Sequence, residues 1–332
     1  MEPELTPLGS PPAEKERPSR NTQLLRGAGT VLTLALTFYL LSQQGWQEIA
    51  RAAARIEPWR LALALLLMMV SRLAVTARWH VLLRSAQMEI TAWQSLRITF
   101  AGLFATNFLP TTIGGDVVRL AGAIQLKFDS ATSAASLVAD RLVGMAGMAM
   151  VVPLGLPLIF SQPPPQTSMH LWSSLNRVEA LPVLATLSPT SGWLSRLREK
   201  TGGFFRRLLA ALALWLRQPG SLLHSLAWSW VHMLCIFAIL ALLFNGMGES
   251  IPLWQIAGLY GLVYFVTLLP ISINGYGVQE LSMTFAFTRF GGASLATSLT
   301  AALLFRTLMM IASLPGALFV PGIMAGSRQR TF

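Results

Sequence analysis

The chain has 332 residues, 53% of them hydrophobic and only 12% charged, with a net charge of +11. A soluble domain carries about 25% charged residues, and a soluble protein of this composition would expose apolar surface that nothing covers, so a soluble globular fold is excluded. The basic residues gather at the ends of apolar runs rather than in a stripe interleaved with aromatics, which fits topology signals and contact with anionic headgroups and speaks against nucleic-acid binding. The only cysteine, Cys235, forms no internal disulfide.

In chain order, residues 1–24 are polar and Pro-rich and read as a disordered tail. The basic residues Lys15, Arg17 and Arg20, with Arg26 at the membrane edge, predict a cytoplasmic N-terminus. A short first span is expected over 27–42. A surface-lying amphipathic helix is expected over 46–58, where Ile49, Ala53 and Ile56 share a side. The next span, 59–77, opens with Trp59 and Arg60. It closes with Arg78, Trp79 and Arg84 read as interfacial anchors, and Arg72 is read as snorkelling to the headgroups.

Segment 92–109 is apolar and runs into Asn107-Phe108-Leu109-Pro110-Thr111-Thr112-Ile113-Gly114-Gly115-Asp116-Val117-Val118-Arg119. Pro110 removes a backbone donor, and Gly114 and Gly115 free the backbone to bend, so a continuous helix through 110–115 is not expected. The pieces on either side are short for a core of ~30 Å and make either a re-entrant pair or one broken span. Asp116 and Arg119, three apart, share a face if the helix resumes. A long span over 131–160 carries Asp140 and Arg141.

Residues 161–192 form a Pro-rich connection, and 193–217 a basic amphipathic interfacial piece. Spans follow at 221–244 and 252–269, then a second break, a piece over 276–288, and a final span 293–321 holding Arg306. Arg328 and Arg330 predict a cytoplasmic end.

The second break repeats the first at an offset of 160 residues. Leu109, Pro110, Ile113, Gly115 and Val118 meet Leu269, Pro270, Ile273, Gly275 and Val278. Gly277 and Glu280 follow, and Arg306 echoes Arg141. Two interrupted apolar segments at matching positions of two halves point to a transporter-type site at the repeat interface. The expected fold is therefore an all-α polytopic membrane protein with roughly six to nine membrane helices of ~20 residues. Two Pro/Gly-broken, re-entrant-like elements lie in two repeat-related halves, 25–160 and 220–322. The region between them, 161–219, and a short basic tail, 323–332, complete the organisation.

The motif at 107–119 resembles the transmembrane, flippase-like domain of lysylphosphatidylglycerol synthases and their stand-alone relatives. In that family a Leu-Pro, Gly-rich, acid-x-x-Arg element is followed by a second Leu-Pro, a Gly-x-Gly-x-x-Glu and a late Arg. Here these read Leu269-Pro270, Gly275-Tyr276-Gly277-Val278-Gln279-Glu280 and Arg306. The likeness covers about residues 25–322 by layout. It implies a domain that moves a phospholipid between leaflets. The soluble domain that aminoacylates the lipid in full-length members does not follow before Phe332, so synthase activity is not implied. Gln279 stands where relatives often have Arg.

Asp116, Arg119, Asp140, Arg141, Glu280 and Arg306 are the candidate substrate-binding residues. A lone charge at mid-membrane costs ~2.5–3.5 kcal/mol, and three acids with three bases can pair completely. Arginine suits phosphate through its planar fork. The acids would hold the arginines, and helix starts near Gly115 and Gly275 would add N–H groups for an anion. Pro110, Gly114, Gly115, Pro270, Gly275 and Gly277 are read as backbone breaks. His224 and His232 have no carboxylate at ligand spacing, and no Walker loop, His-Glu-x-x-His or Gly-x-Ser-x-Gly occurs, so no metal or cofactor is expected. The function expected is a translocase of a phosphate-bearing lipid in the cell membrane, with anionic lipids as partners. A homo-oligomer or a lipid-biosynthesis partner stays open. The alternatives are a non-catalytic membrane scaffold and an intramembrane lipid-modifying enzyme.

Overall fold

The computed structural model describes residues 46–108, 114–160, 215, 218–269 and 276–323. The tail 1–24, the span 27–42, the connection 161–192, the interfacial piece 193–217 apart from Trp215, the break residues Pro110, Pro270 and Gly275, and residues 324–332 lie outside the described residues. Every regular element described is helical: α1 (Trp46–Ala54), α2 (Pro58–Ser85), α3 (Ala92–Phe108), α4 (Gly114–Gln125), α5 (Ser130–Ala149), α6 (Val152–Phe160), α7 (Pro219–Gly246), α8 (Leu253–Thr267), α9 (Val278–Arg289) and α10 (Leu295–Ser313). A 3₁₀ turn, Leu314–Leu318, continues α10.

The halves repeat element by element. Helices α2 and α7 each have 28 residues and each open on a proline in the first turn, Pro58 and Pro219, where the missing N–H has no helical partner to lose. The following pairs, α3 and α8, α4 and α9, α5 and α10, have 17 and 15, 12 and 12, and 20 and 19 residues. The caps correspond too. Asp129 accepts from the Thr132 backbone N–H before α5, and Ser294 accepts from the Thr297 backbone N–H before α10.

Helices α2, α7 and α10 with its 3₁₀ extension are long and apolar enough to cross a membrane. Helices α5 and α6 pass together but bend by 45° at their junction. Pro153 is the cause: its ring clashes with the carbonyl four residues back, that of Ala149, the last residue of α5. At the outer end of α2, the exposed Glu57 carboxylate takes N–H bonds from Arg60 (2.8 Å) and Trp59 (2.9 Å), and these two donors hold it below its ordinary carboxylate pKa.

The broken elements are helical hairpins rather than straight broken spans. Gly102 of α3 lies against Gly115 of α4, and Ile98 against Gly122, so the two helices run antiparallel and the chain returns to the side it came from. The second pair does the same. Gln255 at the start of α8 donates to the Phe290 carbonyl just past α9, at 3.5 Å, and Leu259 meets Gly291. Fifteen residues of α8 span only about 22 Å, short of the ~30 Å core. The helices on either side of each break therefore pair as a hairpin rather than as one straight crossing.

The core fills the space between α2, α7, α8, α9 and α10, with Met68, Leu240, Ile256, Leu259, Met283 and Phe305 buried there. The Phe244 and Phe287 rings lie 4.8 Å apart within it. A smaller cluster of Trp79, Leu83, Ile98, Ala101 and Val118 joins α2 to the first hairpin. The backbones of α6 and α8 touch at two glycines: a Cβ on Gly155 would meet Gly258 backbone atoms at 2.7 Å, and one on Gly258 would run into the Gly155 backbone. Small residues are what allow membrane helices to approach this closely.

Gly258→Val is expected to lower stability by about 1–3 kcal/mol through overpacking. Gly220→Ala, where nothing lies within 4 Å of an added Cβ, is expected to leave it unchanged or slightly raised. Thermal unfolding of both variants in detergent checks this.

Candidate functional site

The site begins where the two tips meet. Tyr276, at the second tip, donates its hydroxyl hydrogen to the Asn107 carbonyl at the first. Asn107 is buried, and its Nδ2 donates to Ser313 Oγ on α10 at 3.0 Å. A helix end buried in an apolar body needs such partners, because no water reaches its orphan carbonyls. Beyond the second tip, Gly277 takes φ +77°, a conformation that glycine alone adopts without a Cβ penalty. That turn lets the Gly277 N–H donate to Glu280 Oε2 at 2.9 Å. The other Glu280 oxygen accepts from Arg306 Nε at 2.5 Å. One carboxylate thus starts α9 and ties it to α10, with both side chains buried. The Arg306 guanidinium also lies 5.0 Å from the Tyr276 ring centroid, so the second tip is attached to the same pair.

On the first side, the charges form a chain. Asp140 on α5 accepts from Arg78 Nε (2.7 Å) and from Arg119 Nη2 (3.0 Å). Asp116 accepts from Arg141 through Nε at 2.7 Å and also through Nη2, and lies 3.7 Å from Arg119. Asp140 and Arg141 are neighbours in sequence but take different partners, as residues about 100° apart on a helix must. Exposure falls along the chain, from 57% for the Arg141 side chain through 22% for Asp116 and 10% for Arg119 to 2% for Asp140. Hydrogen-bonded pairing is what permits charges at such depth.

Local packing places each member. Gly115 in the first turn of α4 sits so close to α3 that a Cβ there would run into the Thr106 hydroxyl. The same approach stacks Arg119 along Gly102. The Arg119 guanidinium lies 4.3 Å from the Trp79 ring centroid, a cation–π contact strengthened by the absence of water. Gly114 is the first residue of α4, so the resumed helix begins at the glycine pair.

Three sequence expectations for α2 are corrected. The span does not close at 77 but runs on to Ser85. Arg78 and Trp79 are not interfacial anchors: Arg78 belongs to the ionic chain, and Trp79 is fully buried with its Nε1 donating to Ser136 Oγ at 3.1 Å. Arg72 does not snorkel; it is buried within the helix packing. An apolar run followed by Arg and Trp looks the same whether the membrane ends there or a polar neighbour waits there. The neighbour in this case is α7, whose Ser225, Ser229 and His232 recur on one face. Ser229 Oγ accepts from Arg78 Nη1 at 3.1 Å, Ser225 donates to the Arg78 carbonyl at 3.2 Å, and His232 Nδ1 lies 2.7 Å from Ser71 Oγ. That i, i+4, i+7 polar stripe in an apolar helix was the available signal for a charged partner.

A cavity of about 210 Å³ is lined among others by Arg72, His232, Tyr260, Tyr264 and Gln279, the last next in sequence to Glu280. The six residues singled out from the sequence therefore fall into two ionic groups, a chain of Arg141, Asp116, Arg119 and Asp140 graded from exposed to buried, and the buried pair of Glu280 and Arg306. Among the described residues, no group of three or more His, Cys, Asp or Glu is placed to hold a metal ion.

Arg306→Gln leaves Glu280 buried without its counter-charge and is expected to cost about 3–5 kcal/mol. The double variant E280Q/R306Q, which removes both charges, is expected to be less destabilised than R306Q alone. Denaturant unfolding in mild detergent checks both.

Comparison with known proteins agrees with this architecture. No curated protein matches the chain. Residues 27–316 match the family described as the lysylphosphatidylglycerol synthase TM region. That interval contains both hairpins and every charged residue of the two assemblies. The chain is a membrane protein and belongs to the lysylphosphatidylglycerol synthase transmembrane-region family.

Proposed function

We propose that the protein is a lipid translocase that moves a phospholipid, or another phosphate-bearing lipid, between leaflets of the cell membrane, with both termini in the cytoplasm. The observation that carries this reading is the graded line of paired charges. It starts at the partly open Arg141 and passes inward through Asp116 and Arg119 to Asp140, while Gln279 and Phe305, the sequence neighbours of the paired Glu280 and Arg306, line a cavity together with Arg72. A headgroup crossing hydrocarbon needs polar partners at each depth. Arginines held by carboxylates supply them without leaving bare charges when the lipid departs. In this reading Arg119, Arg141 and Arg306 exchange part of their carboxylate bonding for lipid phosphate, while Asp116, Asp140 and Glu280 take it back afterwards. Anionic lipids are the partners that the arginines suit best. Family membership supports the lipid connection, and hairpins that meet at mid-body are the arrangement that broken-helix transporters use.

Reconstitution tests this. Vesicles containing the protein are expected to equilibrate a fluorescent phosphatidylglycerol between leaflets at least about tenfold faster than empty vesicles, a barrier reduction of about 1.4 kcal/mol or more. E280Q/R306Q is expected to lose most of that gain while remaining folded. Rates equal to empty vesicles for phosphatidylglycerol, phosphatidylethanolamine and phosphatidylcholine alike would sink the proposal.

A further inference from the structure

We infer that Arg72 is the cation of an oxyanion-binding site in the cavity it lines with Tyr260, Tyr264 and Gln279, and that the ligand it takes is a phosphate group. Arg72 is 5% exposed and lines the cavity together with Tyr260, Tyr264, Thr267 and Gln279. Its Nε and Nη2 are both buried and, among the described residues, neither has a hydrogen-bond partner. These atoms form one edge of the guanidinium fork, the edge that grips two oxygens of a phosphate or carboxylate at once. The other buried arginines of the site give a sharp contrast: Arg78, Arg119 and Arg306 each have a carboxylate. Among the described residues no ion pair joins Arg72 to a carboxylate. A buried charge without a counter-ion is strongly unfavourable, and a charged side chain inside a membrane body that lacks a protein partner marks a ligand site by default.

The lining suits the same ligand. Gln279 offers its amide N–H only to the sulfurs of Met283 and Met309, at 3.9 Å. Thioether sulfur is a weak acceptor, so this donor is available for a phosphate oxygen. A cavity of about 210 Å³ is smaller than the ~300–1,000 Å³ that encloses a whole drug-sized ligand. It has room for a phosphate-bearing headgroup and not for acyl chains, which stay outside. The naming of a phospholipid as occupant rests on the translocase reading, but the oxyanion site itself does not.

The test uses the full chain purified in maltoside detergent and phosphate-free buffer, with thermal stability as the readout. The probes are inorganic phosphate, dihexanoyl phosphatidylglycerol, and dihexanoylglycerol, which lacks the phosphate. The wild type is expected to be stabilised by phosphatidylglycerol and not by dihexanoylglycerol. Arg72→Met is expected to need about tenfold more of it or to show no response, the loss of a charge-assisted, two-point grip. R72M without ligand is expected to be at least as stable as the wild type, because an unpaired buried charge is gone; a residue needed only for packing would give the opposite. Should R72M not fold, R72K retains the charge but loses the fork, and is expected to fold and respond more weakly than the wild type. Arg72-dependent stabilisation by inorganic phosphate as well as by the lipid identifies the free oxyanion as sufficient. Stabilisation by the lipid alone identifies the headgroup. An equal response of wild type and both variants, an equal response to dihexanoylglycerol, or no response to either phosphate probe overturns the site. Vesicle translocation measured in parallel separates the two readings. Arg72-dependent binding in a protein that moves no lipid keeps the site and removes the translocase; lipid movement without Arg72-dependent binding does the reverse.

Discussion

Hydrocarbon offers no hydrogen bonds, so every interrupted helix and every charge within the membrane body must find its partner inside the protein. Two hairpins of this chain break where glycine and proline free the backbone, and that constraint fixes what happens next. The tips cannot end in lipid, so they end on each other, through the Tyr276 hydroxyl and the Asn107 carbonyl. The helices that restart beyond them cannot leave their first N–H groups bare either. Glu280 closes one start by accepting from Gly277, and its second oxygen then has to be neutralised, which Arg306 does. Capping, helix docking and charge compensation are one act performed by one carboxylate.

The same logic orders the first assembly. Asp140 is the deepest acid and takes two arginines from different helices, Arg78 of α2 and Arg119 of α4. It therefore fastens the hairpin and the long span to α5 at a single point. Asp116, nearer the surface, takes Arg141 and sits within reach of Arg119. Arg119 also leaves its Nε without a partner but keeps a carboxylate on Nη2, whereas both Nε and Nη2 of Arg72 are bare among the described residues, so the protein leaves a strong donor pair there for something other than itself. A scaffold whose charges served only to lock helices would gain by pairing or deleting it.

Much of this was legible in the sequence because proline and glycine act locally. The Leu-Pro and glycine pattern at 109–115, its echo at 269–277 and the charges just beyond them marked both hairpins, and the family likeness followed from the same residues. What the sequence could not show was direction. A break between two short apolar pieces is compatible with a crossing or a return, and the choice was made by two contacts, Gly102 with Gly115 and Ile98 with Gly122, whose opposite order along the two helices only an antiparallel pair allows. The roles of Arg72, Arg78 and Trp79 were hidden for a related reason. Hydropathy places a residue along the membrane normal but not around the helix axis, and the neighbours that receive Arg78 and Trp79, Ser229 of α7 and Ser136 of α5, lie 151 and 57 positions later.

The repeat explains the geometry, and its imperfection explains the chemistry. Two halves with matching helix lengths and matching caps bring two similar hairpins to one point. A faithful copy would place equal charges on both sides. Here the first half contributes Arg72, Arg78, Asp116, Arg119, Asp140 and Arg141, and the second only Glu280 and Arg306. The partner of α2 in the repeat, α7, has no arginine at these positions but Ser229, which accepts from Arg78, and His232, which bonds Ser71. A symmetric frame thus holds an asymmetric field, rich in cations and graded from open to buried on one side and closed by a single pair on the other. The asymmetry is therefore one of charge on a frame whose helix lengths and caps still match.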